Sequence, residues 1–186
     1  NAFSYCTSLE KVTIPALVTA IGDSCFHDCS NLIEVIFSSS SSSMKTLGNS
    51  LFMNCILLEK VELPDSVSSI PINTFRRCEH LKSFVIPSSV KKIDSYAFYE
   101  CSSLESVIIP SSVVDIGNNA FYGCCSLTEI SIPSSVTLIN IGVFRKCSSL
   151  CKVSIPSSVT SIGSMAFDEC KSLEEIEIPS SVAKIE

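Results

Sequence analysis

The sequence predicts an α/β repeat solenoid, a stack of turns that each hold one short parallel strand and a short helical or irregular return. Three observations carry this prediction. Phe recurs at 3, 26, 52, 75, 98, 121, 144 and 167, spaced by 23 residues except for one step of 26. Cys follows three residues after each Phe, and Leu three after each Cys. The pentapeptide IPSSV stands at 86–90, 109–113, 132–136, 155–159 and 178–182. Self-similarity at a fixed period of this length marks stacked repeats.

Each part of the unit has a physical reading. After the Leu comes a hydrophobic pair two residues apart, as in Val107/Ile109 or Val153/Ile155. Such alternation has the period of a strand. A Pro follows the pair in every unit but one, and it ends the strand because it lacks an N–H for the ladder. Asp94-Ser95, Asn118-Asn119 and Ser164 precede the next Phe and suit the start of a short helical turn. Gly22, Gly48, Gly117 and Gly163 fit a tight bend there. The single longer spacing comes from a Ser-rich insertion at 38–43, after which Met44 and Leu47 take the core places. A turn tolerates that extra length cheaply.

One unit cannot fold alone. It buries about six large apolar side chains at roughly 1.5–3 kcal/mol each. Ordering its backbone costs roughly 1–2 kcal/mol per residue. Stacking reverses the balance, because each unit then buries both flanks. The expected domain spans 1–186 as about eight such repeats. It opens at Asn1 without an initiator Met and shows no polar capping repeat, so it is expected to be a piece of a longer chain. End-to-end self-association through uncapped termini is the alternative way to cover the ends.

Composition narrows the function. The net charge of −6, with no basic cluster, argues against nucleic acid. No apolar run approaches the ~18 residues of a membrane span, so no direct membrane insertion is expected of this segment.

The 11 cysteines raise disulfides, metal and thiol catalysis. Eight of them, Cys6, Cys29, Cys55, Cys78, Cys101, Cys124, Cys147 and Cys170, fall at one inward position per repeat. Parallel Cβ vectors in a column make poor disulfide geometry, so a column of core thiols is expected. Cys25 takes an Ala place in the core, while Cys125 and Cys151 are expected at the surface. No C-x-x-C occurs, and columnar ligands do not converge on a tetrahedral ion, so no metal or other cofactor is assigned. His27 and His80 sit at variable positions, expected to be solvent-exposed, with no third group to orient them. No catalytic residue is assigned and the chain is read as a non-enzyme.

Alternation sorts the strand residues into core and surface. The outward set is Lys11, Thr13, Glu34, Ile36, Lys60, Glu62, Ser83, Val85, Ser106, Ile108, Glu129, Ser131, Lys152, Ser154, Glu175 and Glu177. The core columns hardly change, whereas this pair differs between repeats. A variable surface on a fixed scaffold is where specificity can be written, so this set is the candidate binding face. Val85 and Ile108 are adjacent exposed aliphatics near its middle, where hot spots tend to sit. Glu174, Glu175 and Glu177 make its far end acidic, and no aromatic lies in the set.

The unit L-x-x-V-x-I-P-x-S-V-x-x-I-G-x-x-A-F-x-x-C, recurring along the whole chain, resembles the BspA-like leucine-rich repeats, also called the Treponema pallidum type. In the commoner leucine-rich pattern Asn or Cys follows the strand; here Ser holds that place and Cys lies later, on the convex return. The resemblance implies a right-handed leucine-rich-repeat arc with its strands on the concave side. It also implies a cell-surface or secreted protein, of the kind associated with adhesion to host cells and extracellular matrix. The partner it implies is a protein, of the host matrix or cell-surface kind, bound through the concave sheet. The alternative is an intracellular scaffold or regulatory interaction protein, in the cytoplasm, where free thiols suit a reducing compartment.

Overall fold

A computed structural model describes residues 1–38 and 44–186. The insertion expected at 38–43 therefore lies, save for Ser38, outside the described residues. Fifteen short strands build a parallel β-solenoid, and the turns carry two ladders where one was expected. The first ladder holds Lys11–Ile14, Glu34–Phe37, Lys60–Val61, Ser83–Val85, Ser106–Ile108, Glu129–Ser131 and Lys152–Ser154. The second holds Ala20–Ile21, Thr46–Leu47, Ser69–Ile70, Lys92–Ile93, Asp115–Ile116, Leu138–Ile139, Ser161–Ile162 and Lys184–Ile185. Every pairing is parallel, and like positions face like positions: Val85 pairs with Ile108, and Ile116 with Ile93. The second strand is only two residues long, too short to show a period. Residues 174–178 carry the alternating pattern of the first ladder but form no strand.

Between the two ladders runs the P-S-S-V turn. The Val N–H bonds the Pro carbonyl, as from Val113 to Pro110 at 3.0 Å. The second Ser then donates its hydroxyl to the Val carbonyl of the preceding turn: Ser89 to Val67, Ser112 to Val90, Ser135 to Val113, Ser158 to Val136 and Ser181 to Val159. The repeated pentapeptide thus closes a turn and ties it to its neighbour, satisfying carbonyls that lie outside either ladder.

The return carries no helix among the described residues, which corrects the helical part of the expectation. The residues two before and two after each stacked Phe from Phe26 to Phe167 adopt left-handed backbone, with φ between 52° and 69°, as does Tyr5 after Phe3. A left-handed residue at each end of the three-residue segment centred on Phe breaks the helical ladder into single turns. In place of a helix, the amides reach the next repeat: Phe75 N–H donates to the Ala97 carbonyl at 2.8 Å and Arg77 N–H to the Tyr99 carbonyl at 2.7 Å. The intervening amides close local turns, as Arg76 N–H on the Asn73 carbonyl and Cys78 N–H on the Phe75 carbonyl, so only alternate amides cross to the next repeat and add to stacking.

The core is one contiguous column set running from Ile14 to Ala166. The eight Phe rings form a continuous stack with centroids 5.2–5.7 Å apart. Phe84, in a Val place, tilts against Phe75 and Phe98. Met44 and Leu47 fill the core places after the insertion, as expected. The thiol column lies beside the rings. Each Sγ–H donates to the Phe carbonyl of the preceding repeat, from Cys29 to Phe3 at 3.1 Å through Cys170 to Phe144 at 3.1 Å. Cys is therefore the small apolar residue that also supplies a donor at that point. Burial pushes the thiols of Cys55, Cys78, Cys101, Cys124 and Cys147 far above their ordinary range, and that of Cys170 up to about 11. Deprotonation, and with it nucleophilicity, is suppressed along the column.

Candidate binding face

The first ladder sets its outward residues in two rows along the solenoid. The row of Lys11, Glu34, Lys60, Ser83, Ser106, Glu129 and Lys152 holds one repeat position, in register within Lys11–Glu34–Lys60, Ser83–Ser106 and Glu129–Lys152. Its charges answer one another: Lys11 Nζ lies 2.7 Å from Glu34 Oε2, and Lys152 Nζ 3.9 Å from Glu129 Oε2. The Lys11 ammonium bonded to Glu34, with Lys60 on the other side, holds that carboxyl below the usual carboxylate range.

The second row is Thr13, Ile36, Glu62, Val85, Ile108, Ser131 and Ser154. Val85 is 75% and Ile108 76% exposed, side by side in register. The residues of both rows are exposed except Glu34 and Ile36, which are half-buried, and Glu62 lies one residue past its strand, Lys60–Val61. The four-residue strand of Glu34 and Ile36, Glu34–Phe37, is paired on both sides. Glu175 and Glu177 are exposed but sit outside any strand, so the structure does not join them to the paired face.

The opposite, turn face carries a feature that strand alternation does not reveal. All four Tyr and all three Arg of the chain lie there. Tyr99 and Tyr122 stack at 4.5 Å, with the Arg76 guanidinium 4.8 Å from the Tyr99 ring centre. Arg145 and Lys146 approach the Tyr122 ring at 5.9 and 5.4 Å. These residues, except Lys146, occupy the position after Phe in successive repeats, the 23-residue spacing being the signal that finds them. Arg77 pairs with Glu79 and Glu100, Arg145 with Asp168 and Lys146 with Glu169. The stack therefore consumes its own ring faces and charges, and acts as a clasp between repeats.

His27 also belongs to this column. Contrary to the solvent-exposed reading, it is half-buried, with Nδ1 3.0 Å from Asp28 Oδ2 and its ring edge against Tyr5. His80 is exposed, with Nδ1 2.8 Å from the Ile56 carbonyl. Cys25 is buried, and Cys125 and Cys151 are exposed. Cys125 lines a shallow hollow of about 230 Å³ with Glu79, Glu100, Ser102, Tyr122, Gly123 and Lys146. A second, of about 220 Å³, holds Lys92 bridged between Asp94 at 2.9 Å and Asp115 at 3.6 Å. Among the described residues no three His, Cys, Asp or Glu side chains group around a possible metal position, and no helix is long and apolar enough to cross a membrane.

A parallel solenoid with a Phe–Cys–Leu core and a P-S-S-V turn defines a class of leucine-rich-repeat scaffold, and the comparisons agree. The BspA type leucine rich repeat region, in 6 copies, matches residues 1–124 and 68–186, so the chain belongs to that family. The fold is similar to the leucine-rich-repeat protein of T. pallidum, with a TM-score of 0.83 and 28% identity over 90% of this chain and 79% of that one. It is also similar to a leucine-rich-repeat protein of Bacteroides ovatus, with a TM-score of 0.55 and 25% identity over 99% of this chain and 68% of that one. A leucine-rich cell surface protein of Faecalibacterium prausnitzii shares the fold at a TM-score of 0.51 and 23% identity, over 95% of this chain and 69% of that one. Comparison with curated proteins gave no match.

Proposed function

We propose that this domain is a non-enzymatic protein-binding module of a surface or secreted protein, and that it adheres to host cells or extracellular matrix through its strand face. The observation that carries the reading is the Val85–Ile108 pair, two aliphatic side chains about three-quarters exposed and in register on a regular sheet. Membership of a repeat family suggests protein partners, because such scaffolds hold a fixed core under a surface that is free to vary. The surface location and the adhesive role rest on the family resemblance, and a fold alone does not fix them. Glu175 and Glu177 stay part of the proposal only as an acidic margin beyond the paired strands.

The test is binding of the domain to intact epithelial cells and to immobilised matrix proteins, beside the double variant Val85→Asp/Ile108→Asp. Saturable binding that the variant loses by about tenfold or more is the expected result. Binding equal in both proteins would move the site off the strand face, and binding by neither would remove the adhesive role.

A further inference from the structure

The composition of the face around Val85 and Ile108 specifies what kind of segment it can hold. Ser83 and Ser106 pair beside the two aliphatics, and Ser131 and Ser154 pair on the next two strands, the nearer of which packs against them. With the two aliphatics they make a contiguous block of six uncharged, exposed residues. The charges beyond the block are engaged with each other. Lys11 and Glu34 pair on one side, and Glu129 and Lys152 on the other. At the near edge Lys60, and Glu62 just past that strand, are both exposed and opposite in charge, so the edge has no net sign. A charged partner group seated on the block would give up its hydration and meet no counter-charge. An apolar side chain would displace water from Val85 and Ile108, while the flanking hydroxyls serve the polar backbone beside it. The face also lacks the Tyr and Arg anchors that dominate tight interfaces, all of which lie on the turn face.

We propose that the Val85–Ile108 block selects an uncharged protein segment presenting a branched aliphatic or aromatic side chain, and that it does so weakly and almost independently of salt. The inference rests on the strand-face reading above and adds the chemistry of the partner.

The test is a titration of methyl-labelled domain with three blocked pentapeptides. Each has a central Phe, flanked by Leu, Glu or Lys. The Leu peptide is expected to shift the Val85 and Ile108 methyl resonances, with affinity changing less than about twofold between about 0.05 and about 0.5 M salt. The Glu and Lys peptides are expected to leave them in place, and Glu62→Gln is expected to change nothing. Shifts produced by the Lys peptide, abolished by salt and by Glu62→Gln, would overturn the inference in favour of a basic partner. So would a lack of response to all three peptides. If cell binding is nevertheless lost in Val85→Asp/Ile108→Asp, the strand-face reading stands and only the partner chemistry fails. If cell binding is unchanged in that variant, the strand-face reading itself fails.

Discussion

Val85 and Ile108 stand about three-quarters exposed on the strand face, while Phe98, in the return between them, is fully buried in an eight-ring column. The two regions belong to the same repeats and are built differently. On the strand face, backbone pairing is regular and the outward side chains change from repeat to repeat. In the return, left-handed residues bracket the segment centred on Phe, and the inward Phe and Cys scarcely change. The strand face is free to vary because the return carries the packing: ring stack, thiol donors and inter-repeat amides all lie there. That division is what allows one scaffold to present different surfaces.

The sharpest break in the comparison is expected in alkali. Burial raises the core thiols, so the folded state keeps them protonated where the unfolded chain releases the protons. Stability is therefore full below the ordinary thiol range, and falls as pH climbs through it towards the raised folded values. Each protected thiol costs about 1 kcal/mol over the first pH unit of that window, and the five deepest together about 5 kcal/mol. Denaturant midpoints under reducing conditions, measured from about pH 8 to about pH 10, check this. Replacing Cys101 with Val is expected to make the decline shallower by one thiol's share. A flat profile would show that the column does not hold its protons.

A smaller effect separates two glycines at one repeat position. A Cβ added at Gly117 would overlap the backbone nitrogen of Ser95, whereas one added at Gly22 would meet nothing within 4 Å. Gly117→Ala is expected to cost about 1–3 kcal/mol, as overpacking does, and Gly22→Ala less than about 0.5 kcal/mol. Thermal unfolding of the two variants side by side distinguishes them. Equal losses would mean that the overlap with the Ser95 backbone does not set the cost at Gly117.

The smallest effect is a gain. Met165 holds a left-handed backbone at φ 56° with its side chain half exposed. Asn tolerates that region better, so Met165→Asn is expected to stabilise by about 0.5–1 kcal/mol in denaturant titration. A loss would mean that the Met side chain packs more than its exposure indicates.

The parts legible in the sequence follow the same line. Strand alternation placed Val85, Ile108 and the inward Val107 and Ile109 on their faces, because period two has no competing reading over V-x-I. The columns of Phe, Cys and Leu declared themselves by spacing. The return was harder: its left-handed sites are held by Tyr96, Arg77, Glu100 and Lys146, residue types that carry no signal for that conformation, beside the more telling Asn119 and Gly142. Asp94 reads as a helix start, yet the Tyr96 and Phe98 amides after it donate to the Asn118 and Ala120 carbonyls of the next repeat, partners 22 residues away that local propensity does not see. The second ladder escaped because two residues show no period. The hydroxyl bonds of Ser112 and its equivalents were hidden for a related reason, their acceptors being one repeat earlier.

The division of labour between the faces can be tested in one measurement, taking stability and binding together on Val85→Asp/Ile108→Asp. The account predicts an unfolding free energy within about 2 kcal/mol of the parent, the cost being that of two exposed, like-charged Asp set in register on a sheet, with adhesion to cells or matrix lost. A fall of more than about 2 kcal/mol, or adhesion left intact, would contradict it.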